Sequence, residues 1–153
     1  MINFSRIETY PETSVIGMSC KMSLINNLTS TVWQSFMKER SLVKNRVSDE
    51  FLSIQIYPLG YFEKFNPETV FTKWAGVAVS EETDVPHDMQ AYRIPKGLYA
   101  VFNYKGLSSD AHHAFRFIFE EWVPQSGYIV DARPHFEVIG KNLSSIIIYG
   151  LER

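Results

Sequence analysis

The chain predicts an α+β fold in which a strand-helix-strand-strand unit is written twice. Three observations carry this. Strand-like and amphipathic helical runs alternate along the chain, and the pattern repeats at an offset of 84 residues, the spacing from Pro11 to Pro95. The composition, 45% hydrophobic with 21% charged, belongs to a packed core rather than a disordered chain. At 153 residues the chain reads as one domain, 1–153, with a first module over 1–80 and a second over 85–153. One helix cannot cover both faces of such a module's sheet, so two copies have a reason to associate.

The elements follow in order. After Pro11, residues 14–20 are rich in strand formers, and after Pro95 so are residues 98–104. Asn27 then caps a helix carrying Leu28, Val32 and Phe36 four apart, and Ser108 or Ser109 caps one carrying Ala111, Ala114, Phe115, Ile118 and Trp122. Third strands are expected at 51–57 and 135–139, in register with the offset, and fourth strands at 71–79 and 145–149. The irregular stretch 58–67 holds Gly60, Tyr61, Phe62 and Phe65; it reads either as a flap over a cavity or as a loop packed on the core.

Alternation puts Leu52, Ile54 and Ile56 on one face, expected beneath the helix, and Phe51, Ser53, Gln55 and Tyr57 on the other. In the matching strand Phe136 and Val138 go to the core, which leaves Glu137 on the opposite face beside Ser53 and Gln55, looking into a groove between the modules. In 71–79, Val77 and Val79 share one face while Trp74, Gly76 and Ala78 share the other, so Trp74 is expected next to Glu137. A carboxylate held partly dry among rings has a raised pKa and attracts an organic cation, with cation-π contacts adding about 0.5 to 2 kcal/mol per ring. The alternative is a glutamate on an open sheet face, or one bonded to a nearby Tyr or Arg.

Other chemistry is poorly served. Fifteen Lys+Arg against 17 Asp+Glu leave a formal charge of -2, which supplies no field for a phosphate backbone, so nucleic acid is not an expected partner. Cys20 is the single cysteine; it reads as a small buried hydrophobe and excludes a disulfide framework or thiolate cluster, in keeping with a reducing cytosol. The start of the chain has no signal-like apolar run, and no stretch approaches the roughly 18 apolar residues of a membrane span, so a cytoplasmic protein without a membrane partner is expected. His112 and His113 are adjacent on a helix and diverge by about 100°, while His87 and His135 stand alone, so no metal is expected. Nor does any phosphate-binding or nucleophile motif call for a cofactor.

Four segments carry a more specific signal: Val85-Pro86 through Arg93-Ile94-Pro95; Gly97-Leu98-Tyr99-Ala100-Val101-Phe102; Glu121-Trp122-Val123-Pro124-Gln125-Ser126-Gly127-Tyr128; and Arg133-Pro134-His135-Phe136-Glu137. With Pro11, Val15-Ile16-Gly17, Trp33, Phe36, Asn45-Arg46-Val47 and Gly76-Val77, they resemble the GyrI-like, or AraC-type effector-binding, domains over nearly the whole chain, including stand-alone and integron-cassette forms. The resemblance implies two modules in pseudo-two-fold arrangement, an antiparallel sheet, and a central groove for hydrophobic, often cationic small molecules. It implies that the family's pocket glutamate, in a Phe-Glu motif, is Glu137, and that the groove has aromatic walls, for which position in the strands and helix singles out Trp74, Tyr57, Trp122 and Tyr149. The chain departs from the family at Ile139, where Tyr is common, in the short stretch 140–146, and at Tyr149-Gly150, where Ile-Pro is usual.

The expected function is a non-enzymatic sensor or sequestering protein for a hydrophobic or cationic small molecule. Relatives fused to a helix-turn-helix regulate transcription, and no DNA-binding element is expected here. An enzyme remains the alternative: some relatives hydrolyse small electrophiles, with Glu137 then the general base and Tyr57 or Tyr149 the proton donor. The third reading, from the family's namesake, is a protein inhibitor of gyrase.

Overall fold

A computed structural model describes residues 2–61, 63–105, 117–131, 133–140 and 144–152. Its nine strands form one antiparallel system: β1 (Ile2–Tyr10), β2 (Thr13–Met22), β3 (Phe51–Ile56), β4 (Phe71–Ala78), β5 (Gln90–Ile94), β6 (Gly97–Lys105), β7 (Ile129–Val130), β8 (His135–Ile139) and β9 (Ser144–Glu152). Helix α1 (Thr29–Glu39) ends in a 3-10 turn, Arg40–Leu42, and a π-helical segment, Phe117–Trp122, runs into α2 (Val123–Ser126). The expected cap at Ser108 or Ser109, the positions Ala111, Ala114 and Phe115, the pair His112 and His113, Phe62 of the irregular stretch, and residues 141–143 of the short stretch 140–146 lie outside the described residues.

The sheet order is β1-β6-β9-β8-β3-β4-β2-β5, with β7 added on β9. The offset of 84 residues carries Thr13, the start of β2, to Gly97, the start of β6, and Phe51, the start of β3, to His135, the start of β8. Strands β1 and β5, absent from the sequence-based expectation, are exchanged: β1 precedes β2 yet pairs with β6, and β5 precedes β6 yet pairs with β2. The order therefore reads alike from both ends, about a line between β8 and β3.

This order forces the sheet to roll. Strands β1 and β2 are joined by Pro11 and Glu12, three Cα steps that reach at most about 11 Å. In a flat sheet six strand spacings would hold them about 29 Å apart. Pro95 and Lys96 impose the same closure on β5 and β6. The helix-free face is thus turned inward, where Val15, Ile54, Ile94, Tyr99 and Val101 are completely buried. Tyr10, Tyr99 and Phe136 meet edge to face there, with centroids 5.4 to 6.0 Å apart.

The other face carries the helices. Val32 and Phe36 of α1 pack on Ile16, Ala75 and Val77, while Ile118 and Trp122 pack near Ala100, Phe102 and Tyr104 of β6. Asn27 takes the Thr29 N–H at 3.0 Å, one residue ahead of the structural cap, Leu28. Close approach of β2 and β4 on the helix-free face needs the facing glycines Gly17 and Gly76. A Cβ on Gly17 would collide with the Ala75 carbonyl oxygen and lie 2.7 Å from the Gly76 Cα.

One expectation is reversed here. Leu52 and Ile54 lie on the rolled, helix-free face with Val15 and Trp74, whereas Phe51 goes under α1, 6.1 Å from Trp33 and 6.4 Å from Phe36. Alternation sorts a strand into two sets, but both faces of this sheet are buried, so apolarity does not say which set the helix covers.

Candidate functional site

Strands β8 and β3 lie midway between the two helices. Segment 117–126 sits over β6 and α1 over β4 and β2, a separation of about four strand spacings, near 20 Å, which exceeds the 8–10 Å at which helices pack on each other. Between them the face is polar. One cross-strand row places Phe102, position 147, Glu137, Ser53 and Ala75 side by side, and the next places His135, Gln55, Lys73 and Cys20. Ser53, Gln55, Lys73 and His135 are each 7% exposed or less. A buried polar strip of this kind is costly unless its members satisfy one another or a bound group satisfies them.

The strip is only partly self-satisfied. Gln55 bridges two strands: its amide nitrogen donates to the His135 carbonyl at 3.0 Å and its oxygen accepts from Lys73 Nζ. The Ser53 hydroxyl lies 3.4 Å from the same amide. Glu137 is different, because no hydrogen bond or ion pair among the described residues ends on its carboxylate. Burial raises its pKa above the ordinary glutamate value, and the charge of Lys73 offsets part of that rise. Burial likewise lowers the pKa of Lys73, which Glu137 and Cys20 counter. His135 is held neutral, its pKa pushed down to about 3 by burial.

Aromatic side chains stand on both sides. Tyr57 continues β3 on the helix face; its ring is 4.5 Å from Tyr61, 4.8 Å from Phe71 and 5.7 Å from His135. Burial, with smaller contributions from Tyr61 and Glu137, drives its phenol pKa far up, so Tyr57 stays protonated. The stretch 58–67 packs on this cluster through buried Tyr61 and leaves Phe65 exposed. Across the seam Trp122 stacks on Phe4 at 5.0 Å and meets Phe102 edge to face at 5.1 Å. Arg133 anchors the entry to β8, donating to the Leu98 carbonyl at 2.9 Å, pairing with Asp131 at 2.7 Å and lying over the Tyr99 ring.

Of the expected site residues, the fold sets Glu137, Tyr57 and Trp122 on the same face, Tyr57 two rows along from Glu137. Tyr149 pairs with Ala100, which places its position on that face; its side chain lies outside the described residues. Trp74 does not join them. It points into the rolled interior, 5% exposed and 5.5 Å from Tyr92, because residues paired across antiparallel strands share a face and Trp74 pairs with Ile54, not with Ser53. Sequence reasoning missed Lys73 and set aside His135. The available signal for Lys73 was a lysine between Phe71 and Ala75 at an inward position of an apolar strand. On the helix-free side a cavity of about 220 Å³, lined among others by Tyr10, Leu52, Ala78, Phe136 and Glu50, opens away from Glu137. Among the described residues no group of three or more His, Cys, Asp or Glu could hold a metal, and no helix is long and apolar enough to cross a membrane.

Comparison with known proteins agrees with this architecture. The GyrI-like small molecule binding domain matches residues 4–142. The transcriptional regulator BrlR of Pseudomonas aeruginosa is 26% identical over 133 residues, which are 87% of this chain and 47% of BrlR, so the chain spans about half the length of that relative. SAV2435, solved with tetraphenylphosphonium, superposes with a TM-score of 0.74 at 13% identity over 98% of this chain and 94% of its own. The integron cassette protein VCH_CASS2 of Vibrio cholerae superposes with a TM-score of 0.69 at 9% identity over 99% of both chains.

Proposed function

The chain belongs to the GyrI-like small molecule binding domain family, and from that premise we propose that it binds hydrophobic, cationic small molecules at Glu137, between the helices, as a sensor or sequestering module. One observation carries the reading: a half-buried carboxylate with no hydrogen-bond or ion-pair partner among the described residues, on the face that also carries the Tyr57 cluster and the Phe102–Trp122 pair. An entering cation supplies the missing charge, and its apolar body replaces water against the rings. The tetraphenylphosphonium held by SAV2435 is a ligand of this chemical kind. BrlR is a transcriptional regulator, and a ligand-dependent signal to such a regulator is the role we infer if the module senses rather than sequesters.

The test is Glu137→Gln, which keeps shape and removes charge. Binding of lipophilic cations should weaken at least tenfold while neutral ligands of similar size change less than threefold, read by tryptophan quenching or thermal shift. Equal losses for both would remove the counter-ion role.

Hydrolysis is a second reading, favoured by the neutral phenol of Tyr57 on the same face as Glu137, two rows along the sheet. A glutamate whose pKa is raised is a better base near neutrality, and the phenol can donate to a leaving group. Incubation with a small electrophile, followed by mass spectrometry, separates the two: turnover supports catalysis, and stoichiometric binding without product rejects it.

A further inference from the structure

Lys73 lies on β4 and Glu137 on β8, with β3 between them, one row apart on the same face. By strand spacing and rise their Cα atoms are about 12 Å apart, close enough for the side chains to lean toward each other. Each feels the other's charge, yet no ion pair within 4.0 Å joins them among the described residues. The lysine, 7% exposed, gives one hydrogen bond among the described residues, to Gln55, although an ammonium has three donors. The strip therefore holds a carboxylate short of donors and an ammonium short of acceptors, with a gap between.

We propose that Lys73 is a specificity-determining residue which makes this site bipolar, so that its preferred ligand is a zwitterion: an apolar or aromatic body carrying a cation for Glu137 and a carboxylate or comparable acceptor for Lys73. The inference rests on the cation-binding reading above and narrows its ligand class. A ligand with only a positive charge satisfies Glu137 but leaves Lys73 facing a like charge at low dielectric. A zwitterion satisfies both. Cys20, paired with Lys73 on β2, and His135, held neutral, bring no competing charge to the gap.

The experiment compares a carboxy-rhodamine zwitterion with the ethyl ester of the same dye, a pure cation, by fluorescence polarisation on the full chain. The native protein should bind the zwitterion at least tenfold more tightly. In Lys73→Met the preference should vanish or invert, with the ester gaining affinity, whereas Lys73→Arg should keep it. Lys73→Gln gives the same readout if the Met variant does not fold, as judged by thermal melting. An unchanged ratio in the neutral variants, or a native preference for the ester, overturns the proposal. Glu137→Gln separates the two levels: if it weakens the ester while Lys73 variants leave the ratio alone, only the present inference falls. If it leaves the ester untouched, or neither dye binds, the cation-binding reading falls with it.

Discussion

Ser53 and Glu137 face each other across the β3–β8 seam, and of the five pairs along it theirs is the one separated by 84 residues. Each is therefore the other's counterpart in the repeat, and the pseudo-two-fold axis passes between them. A position on such an axis meets its own equivalent directly. Identical ionised residues there would be neighbours of like charge, which explains in physical terms why only one of the two is a carboxylate.

Replacing that serine by glutamate should make the point measurable. Ser53→Glu sets two carboxylates opposite each other in a buried row, so the added group's folded pKa rises above its unfolded value. Its penalty is then absent below about pH 4, grows as pH rises through the carboxylate range, and is full above the raised pKa. We expect a loss of about 1–3 kcal/mol at pH 7 relative to the native chain, and urea titrations at both pH values would show it.

His135 should make the protein acid-sensitive. Its folded pKa of about 3 lies below the ordinary 6.5, so the unfolded chain binds the proton first and stability is lost as pH falls from 6.5 toward 3. Between pH 6.5 and 4.5 the loss is about 2 kcal/mol at 1.36 kcal/mol per unit, since half of the unfolded chains already carry the proton at pH 6.5. Glu137 acts with the opposite sign, since its raised pKa gives stability back on acidification. The comparison with His135→Gln isolates the histidine: the variant's melting temperature should fall much less over this window.

Trp74 and Tyr57 should respond oppositely to truncation. Trp74→Ala empties the rolled core and should cost about 3–5 kcal/mol, while cation affinity in the surviving folded fraction stays within twofold. Tyr57→Phe leaves the ring and its contacts in place, so stability should move by less than about 1 kcal/mol. Truncation of the same residue to Ala should weaken ligand binding several-fold by removing the wall beside Glu137. Calorimetric titration with tetraphenylphosphonium, alongside thermal melts, would decide.

Gly17→Ala tests the close approach of β2 and β4 on the helix-free face. The added methyl meets the backbone of Ala75 and Gly76, which has no flexible end to yield. A destabilisation of about 2–4 kcal/mol is expected, and a variant as stable as the native chain would show that the strands can separate there.

Local chemistry was legible in the sequence. Alternation and helical spacing located β2, β3, β4, β6, β8 and α1, and the 84-residue offset, with the Phe-Glu resemblance, singled out Glu137 and set Ser53 and Gln55 on its face. These follow from the backbone's own periods, which each residue obeys whatever surrounds it. What only the tertiary structure decided is which face the helices cover, because the two-residue links at Pro11 and Pro95 roll the sheet and bury both sides. The exchange of β1 and β5 between the halves forces that roll, and cross-strand register put Trp74 on the inward face and brought Lys73 and His135 from distant parts of the chain into the row beside Glu137. Cross-strand register is a property of paired segments, so no single stretch of sequence contained it.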